Sequence, residues 1–307
     1  RHPHWGWCKI MRVFNIGSVN IDHVYSVGHL VRPGESLISS RYAVFAGGKG
    51  FNQSIALARA GAAVSHVGLV GRDGAWLRER LQGEGVDCSA LGGSELPTGH
   101  AIIQVIPSGE NAIIVHAGAN AAVTEASVQR VLATAVPGDW LLVQNETGAT
   151  AAAIQAGKRA GLTVVFNPAP MTPAVREYPL QEVDCFILNE TEAECLTGEC
   201  APDAVQLAMR ATYPQAATVL TMGRAGAVYF DRERTVRHPG VPVRAIDTTA
   251  AGDTFIGFYL AERMRGGDPV RALTRACCAA AISVTRPGAA ESIPTLQEVR
   301  ADEEGCD

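Results

Sequence analysis

Short apolar runs alternate with amphipathic helical segments from residue 64 onward. The strand-like runs cover residues 65–70, 140–144, 162–166, 186–188 and 218–222. Strands that alternate with helices predict a parallel sheet covered by helices on both faces. The chain has 307 residues, of which 47% are hydrophobic and 19% charged, so it is long and apolar enough to bury a large core. The sequence therefore predicts the α/β class, with a central mostly parallel sheet flanked by helices.

Two pairs of shorter segments interrupt this alternation. They are residues 25–30 with 37–45, and residues 101–106 with 112–116. Such pairs are typical of antiparallel hairpins, the first turning at Arg32-Pro33-Gly34. We expect a small antiparallel sheet, drawn from about residues 20–45 and 99–117, that serves as a lid. Because exposed strand edges can be covered by a second subunit, a homodimer formed through the lid sheets is expected.

Charge, hydropathy and cysteine spacing limit the partners and the compartment. The formal net charge of −5 argues against nucleic acid or an anionic membrane surface as a partner. No apolar run is long enough to span a bilayer. The absence of a Cys-x-x-Cys pair argues against zinc and a disulfide framework, and favours a reducing, cytoplasmic location. The cysteines are Cys8, Cys88, Cys185, Cys195, Cys200, Cys277, Cys278 and Cys306.

The first ten residues contain no apolar segment of the signal-peptide type. Met11 is followed at once by a strand-like run. We therefore expect Met11 to be the natural start and residues 1–10 to be an N-terminal extension without function. Residues 11–307 show no linker, repeat or low-complexity tract, and we expect them to form one domain.

The stretch 247–255 has the features of an anion-binding helix start. Three small residues, Ala250, Ala251 and Gly252, precede an apolar helical pattern over residues 254–264. The first N–H groups of a helix are unpaired and carry the positive end of its dipole. Small side chains let an anion approach these groups closely, so the turn is suited to a phosphoryl group.

Asp253 lies inside this predicted anion site, although its charge repels an anion. The conflict is resolved if Asp253 accepts a proton from an incoming hydroxyl while the N–H groups stabilise the transferring phosphoryl group. That arrangement is typical of a small-molecule kinase. The alternative is that Asp253 only caps the helix, which is a common role for Asp.

Two further groups of residues are candidates for the site. Asn20 and Asp22 follow the first strand, and ligands collect at the carboxyl ends of parallel strands, although both residues are also common in turns. The loop 47–50 is glycine-rich, but Gly50 follows Lys49 where a Walker A motif requires Ser or Thr. No dinucleotide fingerprint follows the first strand. A further interpretation is that this loop lets a small polyol approach the backbone, with Lys49 and Asn52 as hydrogen-bond donors.

Five motifs, in this order, resemble the ribokinase family of carbohydrate kinases over essentially the whole chain from Met11. They are Gly47-Gly48-Lys49-Gly50-Phe51-Asn52-Gln53, His116-Ala117-Gly118-Ala119-Asn120, Asn167-Pro168-Ala169-Pro170, Asn189-Glu190-Thr191-Glu192-Ala193-Glu194 and Asp247-Thr248-Thr249-Ala250-Ala251-Gly252-Asp253-Thr254. The resemblance implies a ribokinase-like fold and ATP-dependent phosphorylation of the primary 5-hydroxyl of D-ribose. Alternatives are a kinase of 2-deoxyribose, another sugar or a nucleoside, and an inactive sugar-sensing protein, against which Asp253 argues.

The resemblance also implies roles for individual residues. Asp253 would be the general base, and the N–H groups of Ala250, Ala251 and Gly252 would form the anion hole. The residues implied for the sugar are Asn20, Asp22, Gly48, Lys49, Asn52, Glu146 and Asp253. Those implied for the nucleotide are Asn189, Thr221, Gly223 and Gly252. Without the family, Glu146 would be interpreted as a solvated loop residue.

The implied cofactors are ATP as donor, Mg²⁺ and K⁺. Asn189 and Glu192 would organise magnesium indirectly, partly through water; taken alone, they would be a helix cap. The oxygens implied for potassium belong to Asp247, Thr249, Ser283, Arg286, Gly288 and Ser292. Departures from the family pattern are Phe51, Asn145, Thr147, Ser283 and Pro287. Phe51 adjoins Asn52, so it bears on which sugar is accepted.

Overall fold

The structure, a computed structural model, describes residues 11–305; the expected extension at residues 1–10 lies outside them. The strands are β1 (Arg12–Ile16), β2 (Asn20–Ser26), β3 (Arg41–Gly47), β4 (Ala63–Val70), β5 (Leu91–Gly93), β6 (Gly99–Val105), β7 (Asn111–His116), β8 (Trp140–Gln144), β9 (Thr163–Asn167), β10 (Cys185–Asn189), β11 (Ala217–Thr221), β12 (Ala227–Phe230) and β13 (Thr235–His238). The helices are α1 (Lys49–Arg59), α2 (Ala75–Gly83), α3 (Glu125–Leu132), α4 (Thr150–Arg159), α5 (Glu190–Thr197), α6 (Pro202–Thr212), α7 (Ala251–Met264), α8 (Pro269–Val284) and α9 (Leu296–Gly305).

The main sheet has the strand order β13-β12-β11-β10-β9-β8-β1-β4-β5. Its strands pair in parallel from β5 to β11, and β12 and β13 add an antiparallel edge. Neighbouring residues of one strand pack into different cores: Leu141 lies in one apolar cluster and Leu142 in the other, and both are fully buried. Because the sheet is covered on both faces, its central strands are apolar throughout. The predicted α/β architecture is confirmed.

The small sheet has the order β3-β2-β6-β7 and contains the two predicted hairpins; we call it the lid sheet, after the role predicted for it. Its two hairpins are antiparallel, and they meet through the parallel pair β2–β6. The predicted strands of the first hairpin were wrong at their ends. Register places Asn20 opposite Gly47 and Ser26 opposite Arg41, so residues 27–40 form a long connection. This connection contains Pro33, which has no N–H to donate to a ladder.

Helices α1 and α7 lie side by side and run in the same direction. Gly257 allows this approach, because a Cβ at that position would collide with Ala56. Asn52 and Asp253 lie one helical turn earlier in the two helices, so the same packing brings their side chains together. The packing of two helices thus places the starts of both at one point of the sheet edge.

Among the described residues, no helix combines the length and apolarity that a membrane crossing requires.

Candidate active site

Asp253 stands in the first turn of α7, and both of its carboxylate oxygens accept hydrogen bonds from α1. Asn52 Nδ2 donates to Oδ2 at 3.2 Å, and Gln53 Nε2 donates to Oδ1 at 2.8 Å. Burial raises the pKa of Asp253 to about 6, although the Lys49 charge and the two amide donors oppose the rise. At neutral pH the group is therefore mostly ionised, and its proton affinity lies close to the ambient pH. Such a carboxylate is suited to general-base catalysis.

The start of α7 is strained and open. Ala250 has φ +59° and is the only non-glycine residue with positive φ in the described part of the chain. Its carbonyl accepts bonds from the Thr254 N–H at 2.8 Å and from Thr254 Oγ1 at 2.9 Å, which hold the turn. Gly252 is exposed, whereas the Ala251 N–H donates to Thr248 O at 3.2 Å. Strain of this kind is concentrated at functional sites.

Asn20 and Asp22 lie on β2 of the lid sheet, at the end nearest to α1. Asn120 Nδ2 donates to Asn20 Oδ1 at 2.8 Å, while Asn120 Oδ1 accepts from the Val19 N–H at 3.0 Å. These bonds fix the Asn20 amide and leave its NH₂ group as a donor for a ligand. The Asp22 carboxylate lies against Gly47, where any Cβ would overlap it. Burial, with a smaller effect from Glu146, raises the pKa of Asp22 to about 6.

Glu146 follows β8 and reaches the start of α1. Its Oε2 accepts a bond from the Lys49 N–H at 3.1 Å and another from Ser18 Oγ. A carboxylate at a helix N-terminus is stabilised by the unpaired N–H groups and the dipole. Glu146 is therefore held by protein donors beside Lys49 at the candidate site, and it is not a solvated loop residue.

The Lys49 ammonium group lies among carboxylates from three parts of the fold. Burial alone would lower the pKa of Lys49, but these charges outweigh it and raise the pKa. They belong to Asp253, Glu146 and Glu192. Lys49 therefore keeps its positive charge and links the predicted sugar residues to the predicted nucleotide residues.

One polar atom in this cluster is left without a protein partner. Asn52 Oδ1 is buried and accepts no hydrogen bond from the described residues, while Asn52 Nδ2 is held by Asp253. A buried amide oxygen without a partner is costly, and a ligand hydroxyl at this point would satisfy it.

Asn189 and Thr221 are paired residues at the carboxyl ends of β10 and β11. Thr221 Oγ1 donates to Leu188 O at 3.2 Å, and Gly223 turns the chain with φ +51°. Asn189 and Glu192 form a complete capping box at the start of α5. Both oxygens of the Glu192 carboxylate accept bonds from Asn189, each at 3.0 Å. This engagement suits contact with a metal through water better than direct ligation.

The residues predicted for potassium belong to two loops that Asp247 ties together. Asp247 Oδ1 accepts from the Thr249 N–H at 2.9 Å, and Oδ2 accepts from the Gly288 N–H at 2.9 Å. Ser283 and Ser292 are fully buried, and their hydroxyls donate to carbonyls of their own turns. Arg286 Nη2 donates to Glu298 Oε1 at 2.8 Å, so only its carbonyl is a candidate ligand. Such an oxygen donor set fits a monovalent cation.

Within residues 11–305, no cluster of three or more His, Cys, Asp or Glu residues could hold a metal ion. A magnesium ion at this site would therefore depend on the phosphates of the nucleotide and on water. This is the usual mode for Mg²⁺ in phosphoryl-transfer enzymes.

The departures from the family pattern serve local structure. Phe51 is fully buried and belongs to the apolar core, so its ring does not line the open site. Asn145 is held by Tyr178 and by the loop at Pro170. Thr147 Oγ1 lies 3.3 Å from Thr150 Oγ1, and Thr150 is the first residue of α4.

The site also contains residues that sequence reasoning did not assign. Ser18 holds Glu146, Asn120 holds Asn20, and Gln53 holds Asp253. Asn120 and Gln53 were within the matched motifs, but only three-dimensional contacts show what they touch. Ser18 had no signal beyond its position after β1.

The family profile described as pfkB family carbohydrate kinase matches residues 11–296. This chain belongs to that family. It is 38% identical over 298 residues to a ribokinase of Haemophilus influenzae, an alignment that covers 92% of this chain and 95% of the relative. It is also 30% identical to a deoxyribokinase of Salmonella typhi over 307 residues, covering 94% of this chain and 97% of the relative.

Solved structures agree with this assignment. The fold matches a ribokinase of Thermotoga maritima with a TM-score of 0.87 and 32% identity, covering 96% of this chain and all of the other. It matches an Arabidopsis thaliana ribokinase, complexed with ribose and ATP, with a TM-score of 0.84 and 28% identity. That match covers 95% of this chain and 97% of the other.

Proposed function

We propose that the protein transfers the terminal phosphoryl group of ATP to the 5-hydroxyl of D-ribose and forms ribose 5-phosphate. One observation carries the proposal: the Asp253 carboxylate lies at an open helix start, held by two amides and faced by the Lys49 ammonium group. The relatives named above, which include a ribokinase solved with ribose and ATP, support the same reaction.

In the proposed reaction, Asp253 accepts the proton of the 5-hydroxyl as the oxygen attacks the terminal phosphorus. The bond from that phosphorus to the oxygen bridging it to the β-phosphate breaks, and ADP leaves. The N–H groups at the start of α7 stabilise the charge on the transferring group, and Lys49 adds a fixed positive charge. Asn20, Asp22, Gly48, Asn52 and Glu146 would hold the sugar. The nucleotide would lie along Asn189, Thr221, Gly223 and Gly252.

We further propose that the reaction uses Mg²⁺ and K⁺. A divalent ion bound with the nucleotide neutralises phosphate charge; Asn189 and Glu192 would contact its water shell. The potassium residues would fix the loop before Ala250. Replacing potassium with tetramethylammonium at constant ionic strength is expected to lower the rate, and an unchanged rate would contradict the potassium site.

The second candidate substrate is 2-deoxyribose, because a deoxyribokinase is among the relatives. Asn20 and Asp22 argue for ribose, since each can hydrogen-bond a ring hydroxyl. Removing the 2-hydroxyl would leave one of these buried groups without its partner, at about 1–3 kcal/mol. We therefore expect kcat/KM to favour ribose by about tenfold or more.

The test measures ADP release with ribose, 2-deoxyribose, a hexose and a nucleoside. Asp22→Ala should narrow the preference for ribose, chiefly by slowing ribose turnover, whereas Ser26→Ala on the same strand should not. Equal kcat/KM for the two pentoses, or a preference for a hexose, would contradict the ribose assignment. ADP release with none of them would contradict the kinase assignment.

We also propose a cytoplasmic homodimer formed through the lid sheets. The lid exposes apolar side chains, among them Ile113 (52% exposed), Ile114 (66%) and Val115 (63%) on β7. Sedimentation should show a dimer that is weakened by Ile114→Glu but not by Leu207→Glu, a change at an exposed side chain of α6. A monomer at every concentration would contradict the interface, and cell fractionation tests the compartment.

A further inference from the structure

A chain of buried amide side chains leads from Asp253 into the core between α1 and the main sheet. Gln53, Gln144, Asn15 and Ser54 are fully buried, and Asn167 is 6% exposed. Burying this many polar groups is expensive, and Gln144 Oε1 has no hydrogen-bond partner among the described residues, so a connected set of this size requires a role that apolar residues could not supply.

Gln53 is the member of this chain that touches Asp253. Its Nε2 donates to Asp253 Oδ1 at 2.8 Å and to Asn167 Oδ1 at 3.2 Å. Its Oε1 accepts from Gln144 Nε2 at 2.7 Å. Three partners in three directions leave the amide one orientation, with the nitrogen toward the carboxylate.

Further hydrogen bonds, on the side of Gln53 away from Asp253, fix its orientation. Gln144 Nε2 also donates to Asn15 Oδ1 at 2.9 Å, and Asn15 Nδ2 donates to Gly50 O and Ser54 Oγ, each at 2.8 Å. Ser54 lies 2.8 Å from His66 Nδ1. Burial lowers the pKa of His66 to about 4, so this end of the network is neutral.

The two donors to Asp253 differ in what else they can do. Asn52 has a second polar atom without a partner, which suits contact with the sugar. Gln53 is fully buried and every one of its polar atoms is bonded within the protein, so it does not touch the substrate.

We propose that Gln53 is a positioning residue: it fixes the plane of the Asp253 carboxylate and stabilises the ionised form that accepts the sugar proton. The inference rests on the proposed role of Asp253 as base. The other charges that act on Asp253 are Lys49, Glu146 and Glu192. Because none of them is bonded to Gln53, replacing Gln53 tests its contribution separately.

The experiment measures kcat and ribose KM from pH 5 to pH 9 for Gln53→Met, which keeps length and volume but removes the donor. We expect kcat at pH 7 to fall about tenfold or more, with KM changed by less than about threefold. Losing a donor to the carboxylate raises its proton affinity, so the acidic limb should move up by about one pH unit.

Two more variants keep the test decisive. Gln53→Glu has the same shape and places a like charge beside Asp253, so its acidic limb should move up further. Ser54→Ala breaks the same network at its far end; it should lower thermal stability and shift the pH profile much less than either Gln53 variant.

Folded Gln53→Met and Gln53→Glu enzymes with the wild-type pH profile would overturn the inference. So would Ser54→Ala shifting the profile as much as they do, since the effect would then be a general loss of packing. Near-normal kcat in Asp253→Asn would instead overturn the base itself, and the inference with it. Loss of rate in Asp253→Asn with unshifted Gln53 variants would leave the proposed function standing.

Discussion

The starts of α5 and α7 each place a carboxylate near the Lys49 ammonium group, but they treat their first N–H groups in opposite ways. Helix α5 begins with a complete capping box, in which Asn189 and Glu192 satisfy each other's backbone N–H groups. Helix α7 begins at Ala250, which is left-handed and provides no side-chain cap. At a capped start the first N–H groups are already bonded, which stabilises the helix. At this uncapped start the backbone is strained, but the N–H groups are available to an anion. The difference indicates that the start of α7 is the one suited to the reaction and that the start of α5 stabilises the surrounding structure.

The largest effect is expected at the open start. Asp253→Asn keeps the shape of the side chain but removes the base, so kcat should fall by on the order of 10²–10⁴ while sugar and ATP still bind. Steady-state kinetics and calorimetric binding measure the two parts. A kcat near normal would make Asp253 a helix-capping residue, and the contrast with α5 would fail.

The pH dependence follows from the same carboxylate. Burial raises the pKa of Asp253 to about 6, and the base must be ionised, so kcat should decrease about tenfold per unit as pH falls below about 6. The contribution of Asp253 to the free energy of unfolding should change in the opposite direction and become less unfavourable as the pH falls. A carboxyl whose pKa is higher folded than unfolded loses protons less readily when folded, so this group's destabilising effect should fade between about pH 6 and its ordinary pKa of 3.8.

Thermal unfolding of Asp253→Asn against wild type measures that second effect. The stability difference between the two proteins should favour the variant at pH 8 and shrink toward pH 4. A difference that is constant with pH would mean that the carboxyl does not titrate with a raised pKa.

At the capped start of α5, the expected loss is in the free energy of unfolding. Asn189→Ala removes the cap of α5 and should lower the free energy of unfolding by about 0.5–2 kcal/mol. Urea unfolding measures this loss, and Thr191→Ala on the exposed first turn is the control. If Asn189→Ala costs turnover at saturating ATP and no stability, α5 belongs with α7 as a catalytic start.

The smallest effect is expected at Ala250. Glycine adopts positive φ without strain, so Ala250→Gly should stabilise the protein by less than about 1 kcal/mol. Because the turn would also be looser, kcat should fall a few-fold. A lower melting temperature together with unchanged kcat would show that the left-handed residue is not a strained part of the anion site.

The sequence was most informative where local rules decide the structure. The run 140–144 was predicted from its apolar residues and forms β8 with the same bounds, because such a run is decided over a few neighbouring residues. The strand ends of the first lid hairpin were predicted wrongly, because its register depends on pairing with Gly47 and on β6, which is distant in the chain.

In the candidate site, too, some residues follow from local sequence motifs and others only from three-dimensional contacts. The motifs identified Asp253, Lys49 and Asn52, whereas the amide chain behind Gln53 could not be predicted from a single sequence. Glutamine and asparagine in a buried position have no periodic signal, and their partners come from β1, β8 and β9. Similarly, Phe51 lies next to Asn52 in the chain but points into the core, a choice that depends on packing.

The parallel pairing of β2 with β6 has a consequence for the order of folding. Asn20 pairs with Gly99, and the segment between them includes α1, β4, α2 and β5. Closing so long a loop costs entropy that the lid alone, with exposed apolar faces, cannot offset. We therefore expect the lid to form after β1 and β4 have paired and α1 has docked. The strand that carries Asn20 and Asp22 would then be ordered later than α1, so Lys49 and Asn52 take their places before the other residues proposed to hold the sugar.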